Sequence, residues 1–353
     1  VVGVTIHYLV AGHIAVRVAL GLTGTVRITI AGSGAMGCRY GAALFTAGHD
    51  VTLLDGWAEH VAAINQGGLR VTDESGTQVV PVPARLFPAG SDPADLVIVF
   101  TKATATAAVA AAAAGAFGPE TLLLTLQNGL GNIEALRAHA PDARLLAGVS
   151  MYGTELVGPG HITALGTGET HFGPVSAAGA DAAELVGTVL SAAGIPTRVT
   201  DDALGVIWAK VAFNCVMNTV CSIGSIPVSA LALYDDFDSL AMSILTEIEA
   251  VARAEGVFVD TAAALGVMKA QFDPSASGTH LASMLQDLMN GRRTEIGHLN
   301  GAIAERAARH GLAAPANALI ARLIGLLEVT WPRRVNSLHP DSLHPDSLPP
   351  GAH

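Results

Sequence analysis

Charge is scarce in this chain. Only 14% of its 353 residues are Asp, Glu, Lys or Arg, and 19 basic residues face 30 acidic ones. The net charge of −11 argues against a nucleic-acid partner, because phosphate binding draws on clustered Lys and Arg. A polyanionic membrane surface is disfavoured on the same ground. Cysteine is nearly absent: Cys38, Cys215 and Cys221 form no CxxC pair and no zinc-ligand spacing, so no metal site is expected. Reduced thiols in a cytoplasmic protein are the expectation from that usage.

A clean membrane span and a signal peptide are also lacking. Residues 1–25 are apolar, but His13 and Arg17 interrupt the one window long enough to cross a bilayer. A cation near a helix centre costs about 2.5–3.5 kcal/mol on insertion scales. No basic leader or small-residue cleavage site frames the segment. It reads as an extension outside the fold. At the other end, Ser337-Leu338-His339-Pro340-Asp341 repeats as Ser342-Leu343-His344-Pro345-Asp346. Proline at every fifth residue removes helix and sheet options, so residues 331–353 read as a disordered tail. Its histidines have no spacing that fixes a metal geometry.

What is present is an apolar, Ala- and Gly-rich chain long enough for two domains. Residues 26–31 (VRITIA), 51–55 (VTLLD), 95–102 (DLVIVFTK), 121–128 (TLLLTLQN) and 144–152 read as buried strands. Helices are expected over 35–47, 57–65, 103–114 and 182–193, and short strands at 69–72, 79–83 and 197–200. Residues 158–173, punctuated by glycines, read as a hairpin. Strands alternating with helices predict an α/β fold, a Rossmann-type doubly wound parallel sheet, over 26–200. From Asp202 no strand pattern recurs. Apolar residues fall at helical spacing through 203–222, 237–255, 260–271, 279–310 and 315–329, so residues 201–330 are expected to form an all-helical domain.

The turn Gly32-Ser33-Gly34-Ala35-Met36-Gly37 directly follows the first strand and opens a helix, with Asp55 at the end of the next strand. That context turns a weak GxGxxG match into a dinucleotide site. Gly32 permits the tight turn, Gly34 lets the backbone approach a pyrophosphate, and Gly37 lets helix and strand pack closely. The helix N-terminus offers N–H groups and partial positive charge to phosphate. A carboxylate at Asp55 accepts hydrogen bonds from ribose hydroxyls and repels a 2′-phosphate. Gly56 and Trp57 follow it with no arginine, and Arg70 and Lys102 are the nearest candidates for phosphate contact. NAD is therefore favoured over NADP. Asn128, at a strand end before Gly129, is placed to hold ribose or nicotinamide, although Asn-Gly also serves plain turn chemistry.

Lys210, Asn214 and Asn218 lie at i, i+4 and i+8, on one stripe of an otherwise apolar helix. A buried lysine with two carboxamides needs partners or a wet cleft. As a carbonyl is reduced, negative charge grows on its oxygen, and an ammonium in reach can donate the proton. Ser283, in Ser-Met-Leu-Gln-Asp, and Glu295, in Arg-Arg-Thr-Glu-Ile, are unremarkable alone. A glutamate after two arginines usually reads as an exposed charge.

Taken in order, these residues resemble the ketopantoate reductase family, from about Val26 to Leu327. The shared features are Gly32–Gly37, Asn128-Gly129, the Lys210/Asn214/Asn218 helix, Ser283–Asp287, and the segment ending in Glu295-Ile296. The resemblance implies reduction of 2-dehydropantoate to (R)-pantoate, a step toward pantothenate and coenzyme A. It implies a Rossmann domain, a helical domain and a site in the cleft between them. It assigns Lys210 as general acid and Glu295 to the substrate hydroxyl and the lysine. Ser283, Asn214 and Asn218 go to the substrate and Asn128 to the cofactor. Two departures stand out. Members that prefer NADP carry an arginine where Gly56 stands. Some members carry a substrate-binding asparagine where this chain has Pro227-Val228. The alternatives are a paralogue acting on another branched 2-oxo acid and a non-catalytic dinucleotide sensor. The sequence does not give the oligomeric state, and a homodimer is compatible with it.

Overall fold

The structure is a computed structural model that describes residues 24–88, 93–273 and 281–333. The expected extension, apart from Gly24 and Thr25, and the expected tail from residue 334 on lie outside the described residues. The chain divides into two compact units. One holds the residues up to Ala212 with Ile248–Thr261, the other Phe213–Glu247 with the residues from Ala262 on.

The first unit is built around β1 (Arg27–Ala31), four of whose five residues are buried. A short β-branched run buried on both faces suits the centre of a parallel sheet. β2 (Asp50–Asp55) and β6 (Leu96–Val99) flank it in parallel, setting Ile30 between Leu53 and Ile98. β5 (Ala84–Leu86) extends one side and β7 (Leu122–Thr125), β8 (Leu145–Ser150), β11 (Thr170–Pro174) and β12 (Thr197–Val199) the other. The order is β12-β11-β8-β7-β6-β1-β2-β5. Ile28, Ile30, Leu53, Leu96, Ile98 and Leu124 are all but inaccessible to solvent. Each such side chain contributes roughly 1.5–3 kcal/mol on burial. The chain passes from β1 to β2 on one side and returns to β6 on the other. That is a topological switch point, and open α/β sheets bind ligands at the carboxyl ends of the strands there.

Three expectations need correction. The sheet is mixed, because β11 runs antiparallel to β8. The strand expected at 79–83 ends earlier: β4 (Gly76–Val80) pairs with β3 (Leu69–Asp73), and Pro81 and Pro83 stop it before β5 joins the large sheet. The hairpin lies earlier too. β9 (Gly153–Gly158) and β10 (His161–Leu165) form it, and β10 pairs with β3 in a separate four-stranded sheet.

Helices α1 (Ala35–Thr46), α2 (Ala58–Gly67), α3 (Thr106–Ala112), α4 (Asn132–Leu136) and α5 (Ala180–Ala192) complete this unit. α6 (Ala203–Gly224) and α7 (Phe237–Ala254) contribute residues to both units. α8 (Thr261–Ala270), α9 (Ser283–Met289), α10 (Asn300–Arg309) and α11 (Pro315–Thr330) follow, and no strand occurs after β12 among the described residues. The helix expected over 279–310 is broken. Gly291 at φ +64° ends α9, and the Asp287 carboxylate accepts from Arg292 Nε at 3.0 Å across the turn. In the second unit Glu247 accepts the Ala316 and Asn317 N–H groups at 2.9 Å, placing a negative charge at the N-terminus of α11.

Candidate active site

The glycine turn sits at the switch point. Gly32 has φ +96°, and a Cβ there would lie 2.7 Å from the Thr101 nitrogen, so the turn closes against the loop after β6. A Cβ on Gly37 would lie 2.1 Å from the Gly32 carbonyl oxygen. At Gly34 the opposite holds, with nothing within 4 Å of an added Cβ. Gly34, Ala35 and Met36 are partly exposed, and no side chain caps the N-terminus of α1. The turn thus packs inward through its first and last glycines and leaves open space at the middle one.

Ser33, expected among the cofactor contacts, is fully buried and bonded to Asp55. Asp55 Oδ2 accepts the Ser33 N–H at 2.8 Å and the Ser33 hydroxyl at 3.2 Å. Asp55 Oδ1 accepts the Trp57 N–H at 2.9 Å. The carboxylate therefore braces the turn, a structural duty that its position in the sequence does not announce.

A buried relay lies behind the turn. The Gly160 N–H donates to His60 Nδ1 at 3.1 Å, which leaves the ring proton on Nε2, 3.4 Å from Cys38 Sγ. The Cys38 thiol donates to the Ser33 carbonyl at 3.0 Å. Burial, reinforced by Asp55, pushes the thiol pKa far up, so it stays a donor. Burial lowers the His60 pKa from 6.5, against smaller opposing effects of Asp55 and Ser33. The unfolded chain then takes up a proton at His60 more readily than the folded one. Its contribution to stability is intact above about pH 6.5 and declines as pH falls below that value. Urea midpoints at about pH 7.5 and about pH 5 test this: His60→Gln should narrow the gap between them.

The neighbouring loops are held by a second network. Gln127 Nε2 donates to the Thr101 carbonyl and the Thr106 hydroxyl, both at 2.8 Å, and Gln127 Oε1 accepts from Thr125 at 2.9 Å. Asn132 Nδ2 donates to the Asn128 carbonyl at 3.1 Å, and Asn132 Oδ1 accepts from Thr106 at 2.8 Å. These buried carboxamides tie the loop after β6 to the loop carrying Asn128, which is itself partly exposed. Lys102 is exposed beside them, whereas Arg70 lies on β3 in the other sheet. Sequence reasoning singled out Asn128 and missed Gln127. A carboxamide at the end of an apolar strand is the signal that points to it.

Lys210 belongs to the first unit and is partly buried. Its ammonium donates to the Ser150 carbonyl, at the carboxyl end of β8. Because β8 is parallel to β7, this is the sheet edge that also carries Gly32, Lys102 and Asn128. Ser150 is fixed by Tyr40 of α1, whose hydroxyl donates to Ser150 Oγ at 3.0 Å and lies 2.5 Å from Thr170 Oγ1. Burial pushes the Tyr40 hydroxyl up to about 12, keeping it protonated. A main-chain carbonyl leaves no mark in a sequence, so Ser150 could not have been foreseen.

In the second unit Asn214 and Asn218 are buried, and Asn218 Nδ2 donates to Ser283 Oγ at 3.4 Å. The helical stripe and the Ser-Met-Leu-Gln-Asp segment are thus brought together. Glu295 is not the exposed charge its two preceding arginines suggested. It is 8% exposed, because Thr294 anchors that segment by donating its N–H and hydroxyl to Glu328 at 2.7 and 2.6 Å.

The model of the family "Ketopantoate reductase PanE/ApbA" matches residues 28–177, and that of its C-terminal domain matches residues 202–328. The chain belongs to this family. The 2-dehydropantoate 2-reductase of Lactococcus lactis subsp. lactis is 32% identical over 293 residues, covering 82% of this chain and 94% of the relative. The PanE/ApbA family ketopantoate reductase of Ralstonia eutropha JMP134 is 34% identical with a TM-score of 0.78, covering 86% and 98%. D-Mandelate dehydrogenase bound to NADH and anilino(oxo)acetate is 30% identical with a TM-score of 0.83, again covering 86% and 98%.

Proposed function

We propose that the chain reduces 2-dehydropantoate to (R)-pantoate with NADH, with Lys210 as the proton donor. The observation that carries this reading is the Lys210 ammonium at the Ser150 carbonyl, on the sheet edge of the glycine turn. The residues fit a dinucleotide. The open space at Gly34 and the helix N-terminus without a side-chain cap suit a pyrophosphate, and Asp55 retains acceptor capacity for ribose hydroxyls. The reduced nicotinamide, when bound, supplies the hydride. Lys210 gives a proton to the substrate oxygen and offsets the charge that grows there. Asn128, on a loop fixed by Asn132 and Gln127, positions the cofactor. Asn214, Asn218 and Ser283 hold the substrate carboxylate, and Glu295 takes the substrate hydroxyl.

The second reading is a reductase of another 2-oxo acid. The likeness to D-mandelate dehydrogenase favours it, as does Pro227-Val228 where some relatives carry an asparagine. Initial rates on a panel of 2-oxo acids separate the two. The first reading expects the highest kcat/KM with 2-dehydropantoate; a far higher value for an acid lacking the hydroxymethyl group supports the second. Asp55 and the absence of arginine at Gly56 predict a lower Kd for NADH than for NADPH. Calorimetry checks this, and the reverse order would overturn the cofactor preference.

A further inference from the structure

Trp57 follows Asp55 by two residues and occupies the N-cap position of α2, where it makes no side-chain cap. That position favours Ser, Thr, Asp or Asn, so local structure does not call for an indole. The ring is nonetheless held in place. It stacks on His60 at 5.3 Å between centroids and 9° between planes, and its Nε1 donates to Glu59 Oε2 at 2.5 Å. His60 beneath it is 1% exposed, while Trp57 is 37% exposed. One face of the indole is therefore backed by a buried imidazole, while the residue as a whole remains exposed.

Asp55 links this platform to the glycine turn. Oδ2 takes the Ser33 N–H and hydroxyl, and Oδ1 takes the Trp57 N–H, so one carboxylate joins the phosphate turn to the start of the platform. A ligand with its pyrophosphate at Gly34 and a ribose at Asp55 would carry its next group, a flat heterocycle, toward the indole. We propose that Trp57 is the stacking platform for the adenine ring, and that Glu59 joins Asp55 in excluding a 2′-phosphate. The inference rests on the dinucleotide reading above and adds a binding residue to it. Glu59 contributes in two ways: its hydrogen bond fixes the indole, and its charge repels a second phosphate nearby.

Calorimetry on the full chain tests the platform, with NADH, ADP-ribose and reduced nicotinamide mononucleotide as ligands. Stacking on an aromatic ring is commonly strong enough to change affinity about tenfold or more. Trp57→Ala should weaken NADH and ADP-ribose by about that factor, and Trp57→Phe should recover most of it. Binding of the mononucleotide, which has no adenosine, should move less than twofold. Glu59→Gln should narrow the NADH-over-NADPH preference severalfold. An unchanged Kd for ADP-ribose in Trp57→Ala would overturn the platform, as would an equal loss with the mononucleotide. If the wild type bound no NADH, the dinucleotide reading itself would fall. If it bound NADH and the Trp57 variants were silent, only the platform would fall.

Discussion

Lys210→Ala is expected to lower kcat by about three orders of magnitude while leaving the Kd for NADH within a few-fold of wild type. General acid catalysis contributes typically 10²–10⁴-fold, and in the proposed mechanism the same ammonium would also offset the charge developing on the substrate oxygen. Its anchor is a main-chain carbonyl at the end of β8, itself fixed through Tyr40 and Ser150. The donor is thus preorganised by the sheet rather than by a flexible loop, so its loss should appear in kcat. Lys210→Arg separates charge from proton donation. Arginine keeps the positive charge, but its very high pKa makes it a poor donor, and the variant should remain far below wild type. Added primary amine should restore part of the rate in Lys210→Ala. Stopped-flow single turnovers and calorimetry measure the two quantities separately. An alanine variant with wild-type kcat would remove Lys210 from the mechanism; weakened NADH binding at unchanged kcat would make it a cofactor contact instead.

How far the sequence foretold this arrangement depends on whether the deciding contacts are local. β1, β2, β6 and β7 were readable because each is a short, mostly apolar run, the mark of a strand buried on both faces. The four-stranded sheet was not, because β3 finds its parallel partner β10 some ninety residues later, as the pairing of Arg70 with His161 shows. Antiparallel β11 was folded into the expected hairpin for a related reason. A glycine-rich stretch with weak alternation specifies no partner. At the site, helical spacing was enough to align Lys210, Asn214 and Asn218. The burial of Glu295 was not legible in the two arginines before it, because it accompanies Thr294 meeting Glu328 across 34 positions. Asp55 was half readable: its place at a strand end suggested ribose, but its bonds to Ser33 and Trp57 arise only once the turn has formed.

The middle and last glycines of the dinucleotide turn should fail in different ways, and the contrast tests the turn more sharply than either variant alone. Gly34→Val adds a side chain whose Cβ has nothing within 4 Å. The position has φ −64°, an ordinary conformation for any residue, so folding stability should change by less than about 1 kcal/mol. The new methyl groups would occupy the space assigned to the pyrophosphate, and NADH affinity should fall at least about a hundredfold. Gly37→Ala adds one carbon that would stand 2.1 Å from the Gly32 carbonyl oxygen, with an Ile30 methyl 3.0 Å away. Neither the backbone oxygen nor the β1 core side chain can retreat cheaply, so the helix must lift from the strand. Overpacking of a tight core costs typically 1–3 kcal/mol, and a clash with main chain belongs at the upper end, about 3 kcal/mol. Urea unfolding without ligand should therefore separate the variants clearly, with Gly34→Val near wild type and Gly37→Ala well below it. Calorimetry at a temperature where both are folded should find NADH binding lost in Gly34→Val. If Gly34→Val bound NADH normally, the open space at the middle of the turn would not be where the phosphates lie, and the dinucleotide would have to be placed elsewhere on the sheet edge.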